Sequence, residues 1–167
     1  MTPSPTGVPL LDEARAAFLT RRVAINVASC SAELVPSVSR AVGCRVSPDR
    51  RRVTVFLSVP RSTALLDDLR AGRGIAVVFS LPSTHETIQL KGARAAIVPL
   101  EDGDRECMKA YAASFIDELR HLGYRDPFAT AIMSAVGEDA TGVEFEPTAA
   151  FLQTPGPTAG RRLEPAP

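Results

Sequence analysis

Apolar and polar residues alternate with a period of two through much of this chain, the pattern of strands that bury one face. Arg22-Val23-Ala24-Ile25-Asn26-Val27-Ala28 alternates cleanly and predicts a first strand. A second is predicted over 33–42, with Pro36 at a strand edge or bulge because proline donates nothing to a ladder. Arg52 to Val59, rich in β-branched residues, predicts a third, joined to the second by the polar connection Asp49-Arg50-Arg51. Gly74 to Leu81 is an unbroken apolar run and predicts a strand buried on both faces. Thr84 to Val98 predicts a long strand bent or bulged at Gly92, and Gly142 to Phe151 a last one.

Helical spacing interrupts this pattern at three places. Pro60-Arg61-Ser62-Thr63 opens a short helix whose Leu65, Leu66 and Leu69 share one face, with Ser62 or Thr63 as its cap. Met108, Tyr111, Ala112, Phe115, Leu119 and Leu122 recur at helical spacing over 104–122, and Gly123 stops that helix. Asp126-Pro127 is a cap followed by proline at the first helical position, which predicts a short helix to about Ala135. Strands in hairpin runs with a few helices between them predict an α+β protein, an antiparallel six-stranded split β-barrel with peripheral helices. Proline and glycine mark 1–9 as an N-terminal tail and 155–167 as a C-terminal one, leaving a single domain over 10–154.

Charge and composition narrow the function classes. Nineteen basic residues balance nineteen acidic ones, so the basic excess of a nucleic-acid-binding domain is missing. Nor does any apolar run reach the length that spans a bilayer, and Met1-Thr2-Pro3-Ser4-Pro5 lacks the basic and apolar regions of a secretory signal. Cys30, Cys44 and Cys107 are too few and too scattered for a disulfide framework or a zinc site, which predicts reduced thiols in a cytoplasmic protein. With His85 and His121 as the only histidines, no metal cluster is expected. At the end of the long helix His121 is placed to meet carbonyl ends rather than a substrate. Gly72-Arg73-Gly74 lacks a third glycine and leads into a strand, so it is no dinucleotide fingerprint.

Two segments carry candidate chemistry. In Ser58-Val59-Pro60-Arg61-Ser62-Thr63 a strand hands over to a helix start, and a guanidinium and hydroxyls join unpaired backbone N–H groups. That equipment can hold a phosphate, or it can be an ordinary capped helix with a solvated arginine. In the strand from Thr84, the residues His85, Thr87, Gln89 and Lys91 fall on one side while Ile88 and Leu90 fall on the other. That polar face is either a solvated exterior or the wall of a cleft that reads the edge of a planar heterocycle.

Pro36-Ser37-Val38-Ser39-Arg40, Val53-Thr54-Val55-Phe56-Leu57-Ser58, Leu65-Leu66-Asp67-Asp68-Leu69, Ile75-Ala76-Val77-Val78-Phe79 and Gln89-Leu90-Lys91-Gly92 follow one another in a specific order. In that order and spacing the chain resembles the pyridoxamine 5′-phosphate oxidase-like family, the split barrels that bind flavin mononucleotide (FMN). The resemblance implies a homodimer with two FMN sites at the subunit interface. It implies that the phosphate is gripped at Ser58, Arg61, Ser62 and Thr63. It further implies that Thr87 and Gln89 meet the polar edge of the flavin ring, with Lys91 on the same face, and that Ser39 and Arg40 border the cofactor. Members that oxidise pyridoxamine phosphate carry Ser-Arg-Lys at the phosphate turn and end in Arg-x-His. This chain has Arg61-Ser62-Thr63 and ends without histidine, so that particular reaction is not expected.

The function these features predict is an FMN-dependent oxidoreductase acting on an unidentified small molecule, without nucleic-acid or membrane partners. The flavin would carry the electron chemistry, which fits a sequence that offers no catalytic acid or base. The alternative keeps the fold as a non-catalytic flavin- or haem-binding sensor.

Overall fold

The computed structural model describes residues 8–165, so all but Val8 and Pro9 of the expected N-terminal tail lie outside the described residues. In chain order the elements are α1 (Glu13–Leu19), β1 (Ala24–Cys30), β2 (Pro36–Val46), β3 (Val53–Ser58), α2 (Thr63–Arg70), β4 (Ile75–Ser80) and β5 (Thr87–Gly92). Then follow β6 (Ala96–Val98), α3 (Asp104–His121), α4 (Phe128–Ala131), β7 (Ala140–Phe145), β8 (Ala149–Leu152) and β9 (Arg162–Leu163). A 3₁₀ turn over Ser134–Gly137 separates α4 from β7. The class is α+β, as expected.

Nine strands pair antiparallel in the order β6-β7-β3-β2-β1-β4-β5-β8-β9, and the ladder does not close on itself. Nine therefore replaces the six strands expected. Two long runs each break in two, and the reasons are local. The Thr84–Val98 run starts only at Thr87, because Leu81 and Glu86 close a turn in which His85 takes a left-handed φ of 60°. It then ends at Gly92, where a side chain would meet the Phe145 ring at 2.9 Å and Ile75 at 3.0 Å, and the chain bends at the next residue, Ala93. The Gly142–Phe151 run breaks at Glu146-Pro147, where proline cannot continue the ladder. The last addition is β9, which pairs with β8 through Ala150–Leu163 and Phe151–Arg162 inside the segment expected as a tail.

The N-terminal helix α1 was not legible as a period. Asp12 caps it by accepting from the Arg15 N–H at 2.7 Å, and Phe18 and Leu19 are buried beneath it. Proline opens β2, with Pro36 opposite Cys30, where its missing N–H removes no essential bond. Through Pro36–Arg40, β2 pairs with β1; through Ala41–Val46 it pairs with β3. The register shifts between Ala41 and Cys44, where Gly43 sits at φ 141°. This one strand thus carries both halves of the sheet.

Burial on two faces belongs to β3, not to β4 as the sequence predicts. Every residue of β3 is buried. Val53, Val55 and Leu57 enter the main core with Ile25, Val27, Val77, Phe79, Leu90 and Val143. Phe56 points the other way, into a small cluster with Val42, Met108 and Ala135 under α3 and the 3₁₀ turn. By contrast β4 alternates, with Ile75, Val77 and Phe79 buried and Ala76, Val78 and Ser80 half-buried. Its second face, shared with β1 and β5, lies open, and that open face holds the candidate site.

At Gly43 the backbone of α3 comes close. A Cβ there would stand 3.3 Å from the Phe56 ring, 3.6 Å from Met108 Cα and 3.6 Å from Tyr111 Cβ. Tyr111 then donates its hydroxyl to the Val23 carbonyl at 2.7 Å, pinning the helix across the sheet. Gly43→Ala is expected to cost about 1–3 kcal/mol, since it combines overpacking with a backbone conformation that L side chains rarely adopt. Gly137→Ala, in open space, is expected to stay within about 0.5 kcal/mol. Urea titration of both variants against wild type measures the difference.

Candidate functional site

Strand alternation and register place a row of side chains on the open face. Arg40 lies opposite Asn26, Asn26 opposite Val78, Val78 opposite Gln89 and Gln89 opposite Phe151. One pair along, Ala24, Ser80 and Thr87 form a second row. The C-terminal half of α3 and the segment after it rise along one side of this face. Between them lies a cleft of about 600 Å³, floored by Asn26, Arg40 and Ser80 and walled by Phe115, Tyr124 and Phe128. Tyr124 and Phe128 are both exposed and stack with ring centroids 5.2 Å apart. His85 lines the same cleft from its turn, and Glu118 holds that turn by accepting from the Ser83 N–H at 3.0 Å.

Arg40 and Ile132 also line a smaller cavity of about 240 Å³ with Ser39 and Arg61. The two hollows share these residues, so Arg40 borders both. Its guanidinium lies 5.3 Å from the Phe115 ring centre, a cation–π contact. Its Nη1 is buried and has no hydrogen-bond partner, and Arg40 makes no ion pair among the described residues. A buried guanidinium nitrogen without an acceptor is costly, and a ligand oxygen would satisfy it.

Ser39 and Ser62 are buried and their hydroxyl oxygens lie 2.6 Å apart. Whichever hydroxyl donates, the other retains a proton with no protein acceptor among the described residues. Ser58 and Arg61 are engaged differently. Glu138 accepts from the Ser58 hydroxyl through Oε2, and from Arg61 Nε at 2.8 Å and Arg61 Nη2 through Oε1. Arg61 also donates to Ser134 Oγ at 3.1 Å. The Arg61 guanidinium, then the Ser58 hydroxyl, hold the Glu138 carboxyl below the usual carboxylate range. Thr63 is exposed in the first turn of α2, outside the cavity.

The expected site residues therefore fall into two groups. Ser39, Arg40, Ser58, Arg61 and Ser62 come together. The β5 residues diverge. Thr87 Oγ1 lies 2.7 Å from Ser80 Oγ, beside the floor of the cleft and not among its lining residues. Gln89 accepts from Gln153 at 3.3 Å and stands three strand spacings, about 14 Å, from Arg40. Lys91 lies over the Phe151 ring at 5.2 Å and lines a separate hollow with Cys30 and Gly74. Glu138, Asn26 and the wall residues Phe115, Tyr124 and Phe128 were not singled out from the sequence as site residues. No motif marks them, since they converge from β1, α3, α4 and the loops around α4.

Neither a protein-family profile nor a curated protein matches the chain. Among solved structures, a Lactobacillus delbrueckii protein described as a candidate pyridoxamine 5′-phosphate oxidase is similar over 84% of this chain and 93% of its own, at 14% identity and TM-score 0.52. HupZ of Group A Streptococcus is similar over 90% of this chain and 100% of its own, at 15% identity and TM-score 0.53. The chain has the pyridoxamine 5′-phosphate oxidase-like fold. No helix among the described residues is long and apolar enough to cross a membrane.

The Glu138 contacts carry a pH dependence. Because its folded-state pKa is depressed, their stabilising contribution is fully present above the ordinary carboxylate pKa, about 4.3, and is lost as pH falls through the lower folded value. Amide protection over residues 134–139, corrected for the intrinsic exchange rate at each pH, is expected to fall in that acid range. In Glu138→Gln protection should be lower already at neutral pH, with the acid step in this segment gone.

Proposed function

We propose that this protein is an FMN-dependent oxidoreductase of the pyridoxamine 5′-phosphate oxidase-like type, holding its flavin in the cleft between the open sheet face and α3. The observation that carries this reading is the unpartnered Arg40 Nη1, buried where the two hollows meet. The larger hollow, about 600 Å³, falls within the size range of cofactor sites. The aromatic wall suits a planar ring, and the buried serines and Arg40 suit a phosphate. Bound flavin would supply hydride and electron transfer.

The chain's residues would do the rest. Arg40 would neutralise the phosphate, and the free hydroxyl proton of the Ser39–Ser62 pair would add one donor. Asn26 and Ser80 would offer the ring edge amide and hydroxyl partners, and Phe115, Tyr124 and Phe128 would exclude water from one side. Residues of a second copy complete this reading. Leu34, Val35 and Val38 are 74%, 62% and 67% exposed at the β1–β2 hairpin, an apolar patch suited to a homodimer contact. The three cysteines are unpaired, in keeping with a reducing cytoplasm.

His85 at the rim of the cleft favours a second reading, in which haem is bound and sensed. The spectrum of the purified protein separates the two: flavin absorbs in the blue, and haem shows a Soret band that His85→Ala should shift. For the first reading, Arg40→Met is expected to lose one charge-assisted bond, about 1.5–3 kcal/mol, which is roughly ten- to hundredfold in FMN affinity. Riboflavin affinity should change far less. Equal loss for both flavins would place the phosphate away from Arg40.

A further inference from the structure

We propose that Ser58 and Arg61 form an anion seat now filled by the chain's own Glu138, and that a phosphate-bearing ligand gains Arg61 only by displacing that carboxylate. The proposal rests on the FMN reading and deepens it by naming what sets the preference for a phosphorylated ligand.

Glu138 meets three donors at the turn where a phosphate is expected: the Ser58 hydroxyl, Arg61 Nε and Arg61 Nη2. These are the donors an anion needs, and they converge on one carboxylate. Ser58 is 1% exposed, so its hydroxyl has no water to fall back on. Arg61 faces the same cavity as Arg40. That cavity therefore holds two guanidiniums in unlike states, one neutralised and one not. A phosphate held by both guanidiniums would compete with Glu138 for Arg61, since like charges repel. The carboxylate is carried by a short segment between the 3₁₀ turn and β7, anchored to β3 by the Val59 N–H donating to the Asp139 carbonyl at 2.8 Å. Exchange of Arg61 from Glu138 to a ligand phosphate would free the Glu138 side chain while that backbone anchor remains.

Calorimetric titration of wild type, Glu138→Gln and the double variant Glu138→Gln/Arg61→Met with FMN, riboflavin and inorganic phosphate tests this. Glu138→Gln is expected to bind FMN about tenfold or more tightly, with riboflavin unchanged, and the double variant to lose that gain. If FMN and riboflavin shift together, or FMN affinity does not rise, Glu138 is only a structural clamp and the proposal fails. If no variant binds either flavin, the FMN reading fails by itself, and inorganic phosphate decides the seat. Tighter phosphate binding by Glu138→Gln upholds it, and no gain overturns it. A measurement on wild type alone guards against a variant that does not fold. Saturating FMN or phosphate should speed amide exchange in 134–139 if the carboxylate is displaced. Unchanged or slower exchange counts against the proposal.

Discussion

Strand β2 has to serve two sheets, and the rest of the molecule follows from how it does so. Its first half pairs with β1 and its second with β3, and the change of partner falls at the register shift between Ala41 and Cys44. An extra residue in one strand bends it and increases its twist. Gly43 at φ 141° permits that bend, and having no side chain it also lets α3 approach. Once α3 is seated there and tied by Tyr111 to Val23, its C-terminal half projects beside β1 and β4. The cleft is the space left between them. A bulge in one strand thus positions the aromatic wall against Arg40.

Much of this was legible from period alone. Alternation found the cores of β1 and β2, β-branched and apolar runs those of β3 and β4, and the apolar spacing of 104–122 located α3 almost to the residue. Failures came where a long-range contact overrides a local pattern. The run Gly74–Leu81 looks buried on both faces because Ala76 and Val78 are apolar, yet nothing of this chain covers them fully. Thr54 and Ser58 look like an outward face on β3, yet α3 and the 3₁₀ turn cover that side. Burial on a second face depends on what packs there, and no window of sequence carries that information. Similarly β9, two residues long among prolines and glycines, exists only because β8 offers it an edge.

The site was half legible for the same reason. Hydroxyls and guanidiniums on β2 and at the start of α2 are local features, and the fold brings them together. Gln89 and Lys91 share the open face with Arg40, but face membership says nothing of distance, and two intervening strands hold them away from it. Their partners are Gln153 and Phe151 on β8. Glu138 sits some eighty positions from Ser58 and in no periodic element, so its arrival at the turn had no signal in the chain.

Two arginines line one cavity, and comparing them shows why the cleft is built to receive something. Arg61 is half exposed and has a carboxylate, a hydroxyl and water to satisfy it. Its ion pair, at the surface, contributes little to stability. Arg40 has the opposite balance. It lies beside the Phe115 ring with one nitrogen buried and unpaired, a position that a stability argument alone would fill with a neutral or apolar side chain. Among the described residues Glu138 pairs with the exposed Arg61, and no acid pairs with Arg40. A fold that satisfied only itself would have paired the buried charge first. Arg40, left without an acceptor where it borders both hollows, is the observation on which the proposed ligand site rests.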